Sequence, residues 1–300
     1  VAGEGESALA ELAGELAAGR MPKPGTILRG SSPEIAGASY QPDIARFYCD
    51  ETHMLPLQTK RGCPFRCAYC TYPMLEGRVM RSRDLEAVLS DISRIRRDYP
   101  EAMIYFVDAV FNDPAREFES LVKAMIERRL TVPWTGFITP GHLRDGDLEL
   151  LAASGMVAAD LGVDAAADAT LAGLGKSFTF AEVRRCCAEL HELGVGVTTS
   201  VMFGGPGETY DTVLEGIANL RSLEPVYSIV FSGIRILDGA PLLEMARREG
   251  QVPDNWNGIG SLYYFAPAST GRGCMKCCWT GSPTAAIAFI RRAAATATCG

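Results

Sequence analysis

From residue 54 onward the apolar positions alternate between two patterns. Short apolar runs are followed by stretches in which apolar residues recur every three or four positions, the signatures of strands and amphipathic helices. Residues 54–59 form a short, mostly apolar run. Residues 84–97 carry Leu85, Val88, Leu89, Ile92 and Ile95 on one helical face. Residues 103–107 are continuously apolar, as expected of a strand covered on both faces. Residues 114–129 read as a helix with proline at its start and Phe118, Leu121, Val122, Met125 and Ile126 on its buried stripe. The series continues with strands at 132–138, 156–162, 195–203 and 226–236 and helices at 145–153, 180–193 and 209–222, the helix 180–193 stopping at Gly194. Six βα-type repeats over about 180 residues predict an α/β fold, a partial (β/α)6 TIM-like barrel of parallel strands; a full eight-stranded barrel takes about 250 residues.

In such a barrel the site is built where strands end and the following loops begin. Polar residues occupy those places. Asp108 follows the second strand, Thr139 and His142 the third, and Asp164 the fourth. Gly204, Gly205, Pro206, Gly207 and Glu208 follow the fifth, and Arg235 lies near the end of the sixth. Each residue taken alone also reads as a cap or turn; their coincidence at several strand ends is what points to a site.

The first strand leads into Cys63, Cys67 and Cys70, spaced CxxxCxxC with Tyr69 just before the last cysteine. Three thiolates on one short loop can hold three irons of a 4Fe–4S cube and leave the fourth open to a small molecule. A structural zinc site wants four ligands, and no second cysteine pair lies nearby. A disulfide framework suits short secreted chains, whereas this chain has 300 residues.

Composition changes the picture little. The formal net charge of −7 argues against a general nucleic-acid binder. Ten cysteines, with a cluster motif among them, point to the reducing cytoplasm. Residues 1–20 are an acidic, alanine-rich helical pattern, neither a signal peptide nor a membrane span. Arg94, Arg96 and Arg97 read as a solvated helix face. Arg78, Arg81 and Arg83, near the predicted site mouth, are candidates to meet an anionic substrate or a cofactor phosphate.

The cysteine motif and the repeats behind it resemble the radical S-adenosylmethionine (radical SAM) family, over residues 52–250. The resemblance implies that Cys63, Cys67 and Cys70 ligate the 4Fe–4S cluster, and that SAM binds the open iron and is cleaved to a 5′-deoxyadenosyl radical. It places Tyr69 against the adenine, Asp108 near the methionine amino end and Asp164 at the ribose. Gly204, Gly205 and Glu208 fall in the glycine-rich stretch where backbone approaches the adenine, and Arg235 is carried along with the cofactor set. The chain departs from the common pattern at Asp108, where no Gly-Gly-Glu is present, and after Asp164, where Ala165 and Ala166 replace Ser-Gly.

A narrower resemblance is to the subgroup with a cobalamin-binding domain upstream. It implies that residues 1–22 are the C-terminal remnant of such a domain, 23–51 a linker, 52–250 the core barrel and 251–300 an extension. The implied activity is cobalamin-dependent methylation, or cyclisation, of an unactivated carbon in a small-molecule substrate, with electrons from a donor such as flavodoxin or ferredoxin. Two alternatives stay open: a cobalamin-independent radical SAM enzyme that modifies RNA or protein, and a non-catalytic iron–sulfur or zinc sensor. Cys274, Cys277 and Cys278 are either ligands of a second cluster or an incidental cysteine-rich stretch, and at least one of Cys186 and Cys187 reads as core packing.

Overall fold

The structure, a computed structural model, describes residues 2–30, 35–223, 226–269 and 288–290. Cys274, Cys277 and Cys278 lie outside the described residues. Six parallel strands form one sheet in chain order: β1 Met54–Leu57, β2 Met103–Phe106, β3 Trp134–Ile138, β4 Ala158–Asp164, β5 Gly196–Phe203 and β6 Val226–Ser232. Residues Ala288–Ile290 add an antiparallel strand beside β6. The connecting helices are α1 Leu85–Asp98, α2 Glu117–Glu127, α3 Asp147–Ala153, α4 Phe180–Glu192 and α5 Tyr210–Ser222. Sequential parallel pairing with a helix in each crossover is the expected curled α/β half-barrel.

Local chemistry starts the helices where the sequence says. The Asp84 side chain accepts a hydrogen bond from the Ala87 amide at 2.9 Å. Thr179 forms a reciprocal capping box with Glu182, and Thr209 does the same with Thr212. Each satisfies amide donors that the first helical turn leaves free.

The core lies between strands and helices. In β5, Val197, Thr199, Val201 and Phe203 are buried against the helices, while Thr198, Ser200 and Met202 on the other face are only half-buried. In β2, Ile104 and Phe106 are fully buried, but Met103 and Tyr105 face the barrel interior and are half-buried. The expectation of a strand packed on both faces is therefore met on one: the barrel interior is a cavity. Trp134 anchors the core near the bottom of β3. It is fully buried, its ring centroid lies 4.7 Å from Phe111 and 5.2 Å from Phe106, and its Nε1 donates to Ser154 Oγ at 3.1 Å.

One element differs from the sequence expectation. The strand expected over 226–236 breaks at Gly233, whose φ of +80° turns the chain away. A side chain there would collide with the Phe265 ring. The continuation Ile234–Arg235 pairs antiparallel with Tyr263–Tyr264 in a separate ribbon. Ahead of β1 runs the helix Pro42–Thr52, whose Ala45 and Cys49 join the main core. The helix Glu6–Ala17 and the residues just before it are tied to the cysteine-loop hairpin by ion pairs from Arg61 to Glu6 and from Arg81 to Glu4.

Trp134→Ala removes a large side chain with no room to collapse and is expected to cost about 3–5 kcal/mol in denaturant unfolding. Ser154→Ala, which removes the hydroxyl that accepts from the indole N–H and donates to the Leu151 carbonyl, is expected to cost about 1–3 kcal/mol. Equal losses would place the anchor in the hydrogen bond and not in the packing.

Candidate active site

The three cysteines sit on a loop that leaves the sheet after β1 and is closed at its base. Lys60–Arg61 pairs antiparallel with Arg81–Ser82. Gly62 follows in the left-handed region at φ +96°, where a Cβ would lie 2.3 Å from the Val79 carbonyl oxygen. The Gly62 amide donates to Glu76 Oε2 at 3.1 Å, and the Cys63 amide to the Gly77 carbonyl at 3.0 Å. Farther along, the Ala68 amide donates to Leu174 O at 2.9 Å, and Ala68 O accepts from the Leu242 amide at 2.8 Å. The loop is irregular in conformation yet held at both ends and in the middle.

Asp108 is the deepest of these ties. Fully buried, it accepts from the Thr59 amide at 2.7 Å, from the Lys60 amide at 3.1 Å and from the Thr59 hydroxyl. Burial pushes its carboxyl up, and the Lys60 ammonium and the Thr59 donors oppose that. Lys60 Nζ in turn donates to Phe111 O at 2.7 Å and pairs with Asp113 at 2.8 Å.

Cys63, Cys67 and Cys70 are free thiols that line one wall of a cavity of about 500 Å³ at the C-terminal end of the strands. Burial pushes the Cys63 and Cys70 thiols up, partly countered by the backbone amides of Phe65 and Tyr72. Such thiols ionise on binding metal, with release of protons. The donor set fits a cubane cluster. Three cysteines face the cavity together. A closed zinc site needs a fourth ligand, whereas a cube held by three thiolates leaves one iron open.

Opposite the cysteines, β4 carries a bulge. Its pairing with β5 slips by one residue between Leu161 and Asp164, and Asp164 ends the strand at φ +63°. Bulges of this kind re-aim side chains beside functional sites. Here Asp164 turns into the cavity, where its Oδ2 accepts from the Tyr69 hydroxyl at 2.6 Å and pairs with Lys176 Nζ. Lys176 also donates to Gly162 O at 3.0 Å and lies 5.8 Å from the centroid of the Tyr69 ring. Burial by itself would lower the Lys176 pKa, but Asp164 and Cys67 outweigh it and the ammonium is held above its ordinary value. Burial, then Asp164, pushes the Tyr69 phenol well up, so it stays a donor.

The structure thus brings Cys63, Cys67, Cys70, Tyr69 and Asp164 together around one cavity, with Thr139 in the wall beyond. Asp108, Gly204, Gly205, Glu208 and Arg235 stand outside that wall. Gly204 packs on Gly233 and Phe265, and Gly205 on Ile234 and Leu174. Glu208 folds back so that its Oε1 accepts from the Gly204 amide at 2.7 Å. Arg235 is exposed on the ribbon with Tyr263. His142 is exposed at the rim and stacks on Phe65 with centroids 5.8 Å apart. Sequence reasoning missed Lys176 and Asp160. Lys176 follows Gly173-Leu174-Gly175, a turn in which a lone lysine reads as solvated. Asp160 interrupts the apolar run of β4, and that interruption was its signal.

Residues 57–220 match the Radical SAM superfamily. The chain is 24% identical over 242 residues to a tryptophan 2-C-methyltransferase from Streptomyces laurentii, covering 76% of this chain and 39% of that protein. The fold is similar to that of TsrM from Kitasatospora setae, a radical S-adenosylmethionine methyltransferase with tryptophan substrate and the SAM analogue aza-SAM bound. The TM-score is 0.68 at 20% identity, over 75% of this chain and 50% of that one. It is also similar to OxsB, a cobalamin-dependent S-adenosylmethionine radical enzyme with aqua-cobalamin bound, at a TM-score of 0.54 and 16% identity, over 71% of this chain and 39% of that one. The chain therefore spans between two fifths and half of the length of these proteins.

Glu208 gives a test of the loop after β5. It is 3% exposed, and burial raises its pKa to about 7 against the pull of the Gly204 and Gly205 amides. A carboxyl raised on folding makes the native state bind more protons than the unfolded chain between about pH 4.5 and 7, so its contribution to stability falls as pH rises through that window. Glu208→Gln keeps the acceptor and cannot ionise. Unfolding free energies measured at intervals from pH 4.5 to 7.5 should converge on or cross the variant's, with the wild type losing up to about 3 kcal/mol relative to it. Parallel curves would contradict the shift. With the cysteine loop, the strand-end cavity and the match over more than half of its length in hand, the chain belongs to the radical SAM superfamily.

Proposed function

We propose that this chain is the barrel of a radical SAM enzyme that methylates carbon in a small organic substrate with the help of cobalamin. The observation that carries the reading is the sharing of one cavity by Cys63, Cys67 and Cys70 with Tyr69, Asp164 and Lys176. Cys63, Cys67 and Cys70 would hold the 4Fe–4S cluster, and Tyr69 and Asp164 would line the SAM site beside it. When bound, the cluster supplies the electron for reductive cleavage of SAM, and methylcobalamin supplies a methyl group.

The chain's own residues prepare that site. Asp108 and Lys60 hold the root of the cysteine loop against β2, so the three thiols are presented together. Lys176 and Tyr69 hold the Asp164 carboxylate at the rim, ready to accept hydrogen bonds from a polar ligand. Phe65, Tyr72 and Phe178 add apolar surface to the walls, which keeps water from the reacting centre. Asp108, Gly204, Gly205, Glu208 and Arg235 would act on SAM through the shape of the loops they hold, since none lines the cavity.

Cobalamin enters the reading through similarity to a tryptophan 2-C-methyltransferase and to the cobalamin-dependent enzyme OxsB, and it would be bound outside this barrel. The electron donor, a flavodoxin or ferredoxin, and the small-molecule substrate belong to the same reading. Among the described residues no helix is long and apolar enough to cross a membrane.

The test uses anaerobically reconstituted protein given SAM and dithionite. Wild type should bind about four irons per chain and form 5′-deoxyadenosine, read by mass spectrometry. Cys67→Ala should lose the product and the cluster spectrum together. A chain that binds no iron, or a Cys67→Ala variant that turns over like wild type, would sink the reading.

A further inference from the structure

Away from the cysteines, the cavity is walled by the middles of strands. Tyr105 of β2, Phe137 of β3, Asp160 of β4, Thr198 and Ser200 of β5 and Ile229 of β6 face it. Phe137 is 42% exposed although its strand is central in the sheet, so its ring is bared to the cavity instead of being packed in a core. It meets the Tyr105 ring with centroids 5.8 Å apart and planes tilted by 57°. The two rings make an apolar corner.

Three charged side chains line the cavity: Asp160, Asp164 and Lys176. Asp164 and Lys176 neutralise each other. Asp160 has no cationic partner among the described residues. Burial pushes its carboxyl up, and the Tyr105 hydroxyl is what opposes this. A half-buried carboxylate beside the exposed Phe137 ring and the half-buried Tyr105 ring is an arrangement that attracts an organic cation, by charge from one side and by the ring quadrupoles from the other. Four residues separate Asp160 from Asp164 on the same strand, a rise of roughly 13 Å. The Asp160 corner therefore lies nearer the start of β4 than Asp164, which ends the strand.

We propose that this corner selects the substrate: a small molecule with a protonated amine that pairs with the Asp160 carboxylate and an apolar, ring-bearing body that lies on Tyr105 and Phe137. Thr198 and Ser200 offer hydroxyls to the remaining polar atoms. The volume, about 500 Å³, is in the range of small-molecule sites. The inference rests on the reading of this cavity as the reaction chamber.

The experiment measures binding on the full chain, reconstituted anaerobically with its cluster and saturated with SAM. Phenethylamine is titrated by calorimetry against 2-phenylethanol, a neutral molecule of matching shape. Phenethylamine should bind about tenfold or more tightly than the alcohol, and Asp160→Asn should abolish that preference. Asp160→Glu, which keeps the charge, should retain it, and so guards against loss by misfolding. SAM affinity and the cluster spectrum should be the same in all three proteins. Equal affinity for amine and alcohol in the wild type, or a preference that survives Asp160→Asn, would overturn the inference while SAM binding stays intact. Failure of the wild type to take up iron and SAM would overturn the reading beneath it.

Discussion

The site depends on how the chain leaves the sheet after β1. A parallel strand that ends beside its neighbour abandons the hydrogen-bond ladder, and the amides of Thr59 and Lys60 are then buried donors without strand partners. The pairing of Leu57 with Phe106 puts Thr59 level with Asp108, two residues beyond each strand. The Asp108 carboxylate takes the place of the missing strand. A carboxylate at 0% exposure is costly unless its hydrogen bonds are made and its charge is balanced. Here the donors are the loop it must hold, and the balancing charge is the Lys60 ammonium two residues from Gly62 and three from Cys63. Stabilising the carboxylate and positioning the thiols are the same set of contacts.

A second departure from regularity does the corresponding work on the opposite wall. Had β4 continued in register with β5, Asp164 would not meet Tyr69. The extra residue in β4 and the left-handed backbone at Asp164 bring its carboxylate to the Tyr69 hydroxyl and the Lys176 ammonium. Aspartate tolerates that backbone conformation better than most residues. Lys176 reaches the site because Gly175, at φ +75°, lies close to the Arg66 carbonyl of the cysteine loop, where a Cβ would stand 2.8 Å away. The loop after the short helix Asp168–Gly173 therefore packs directly on the loop that carries the cysteines.

The barrel interior follows from its incomplete closure. The helix-facing sides of the strands are packed with Ile104, Phe106, Val163, Val197 and Val201. The inward sides are mixed: Tyr105, Phe137, Asp160, Thr198 and Ser200 leave a cavity where a full barrel would stack branched aliphatic layers. That division of labour lets one sheet be both a stable core and a chamber.

Much of this was legible along the chain. The alternation of short apolar runs with helical stripes specified the βα repeats, because each period reports which faces a segment must bury, and the helices begin at Asp84, Thr179 and Thr209, where capping side chains stand. The CxxxCxxC spacing specified the chemistry of the loop, because three thiols so close in sequence must share a neighbourhood. Tyr69 and Asp164 were singled out by position, one beside a cysteine and the other at a strand end, and both line the cavity. Only the tertiary structure decided the rest. Whether a polar residue at a strand end faces the cavity or turns into a loop depends on pleat, bulge and register. Asp164 therefore lines the site, while Asp108 and Glu208 hold the loops around it and Arg235 follows Gly233 onto another ribbon. Lys176 and Asp160 belong to the cavity for the same reason. Their neighbours come from distant strands, and no local pattern records a contact made across the width of a barrel.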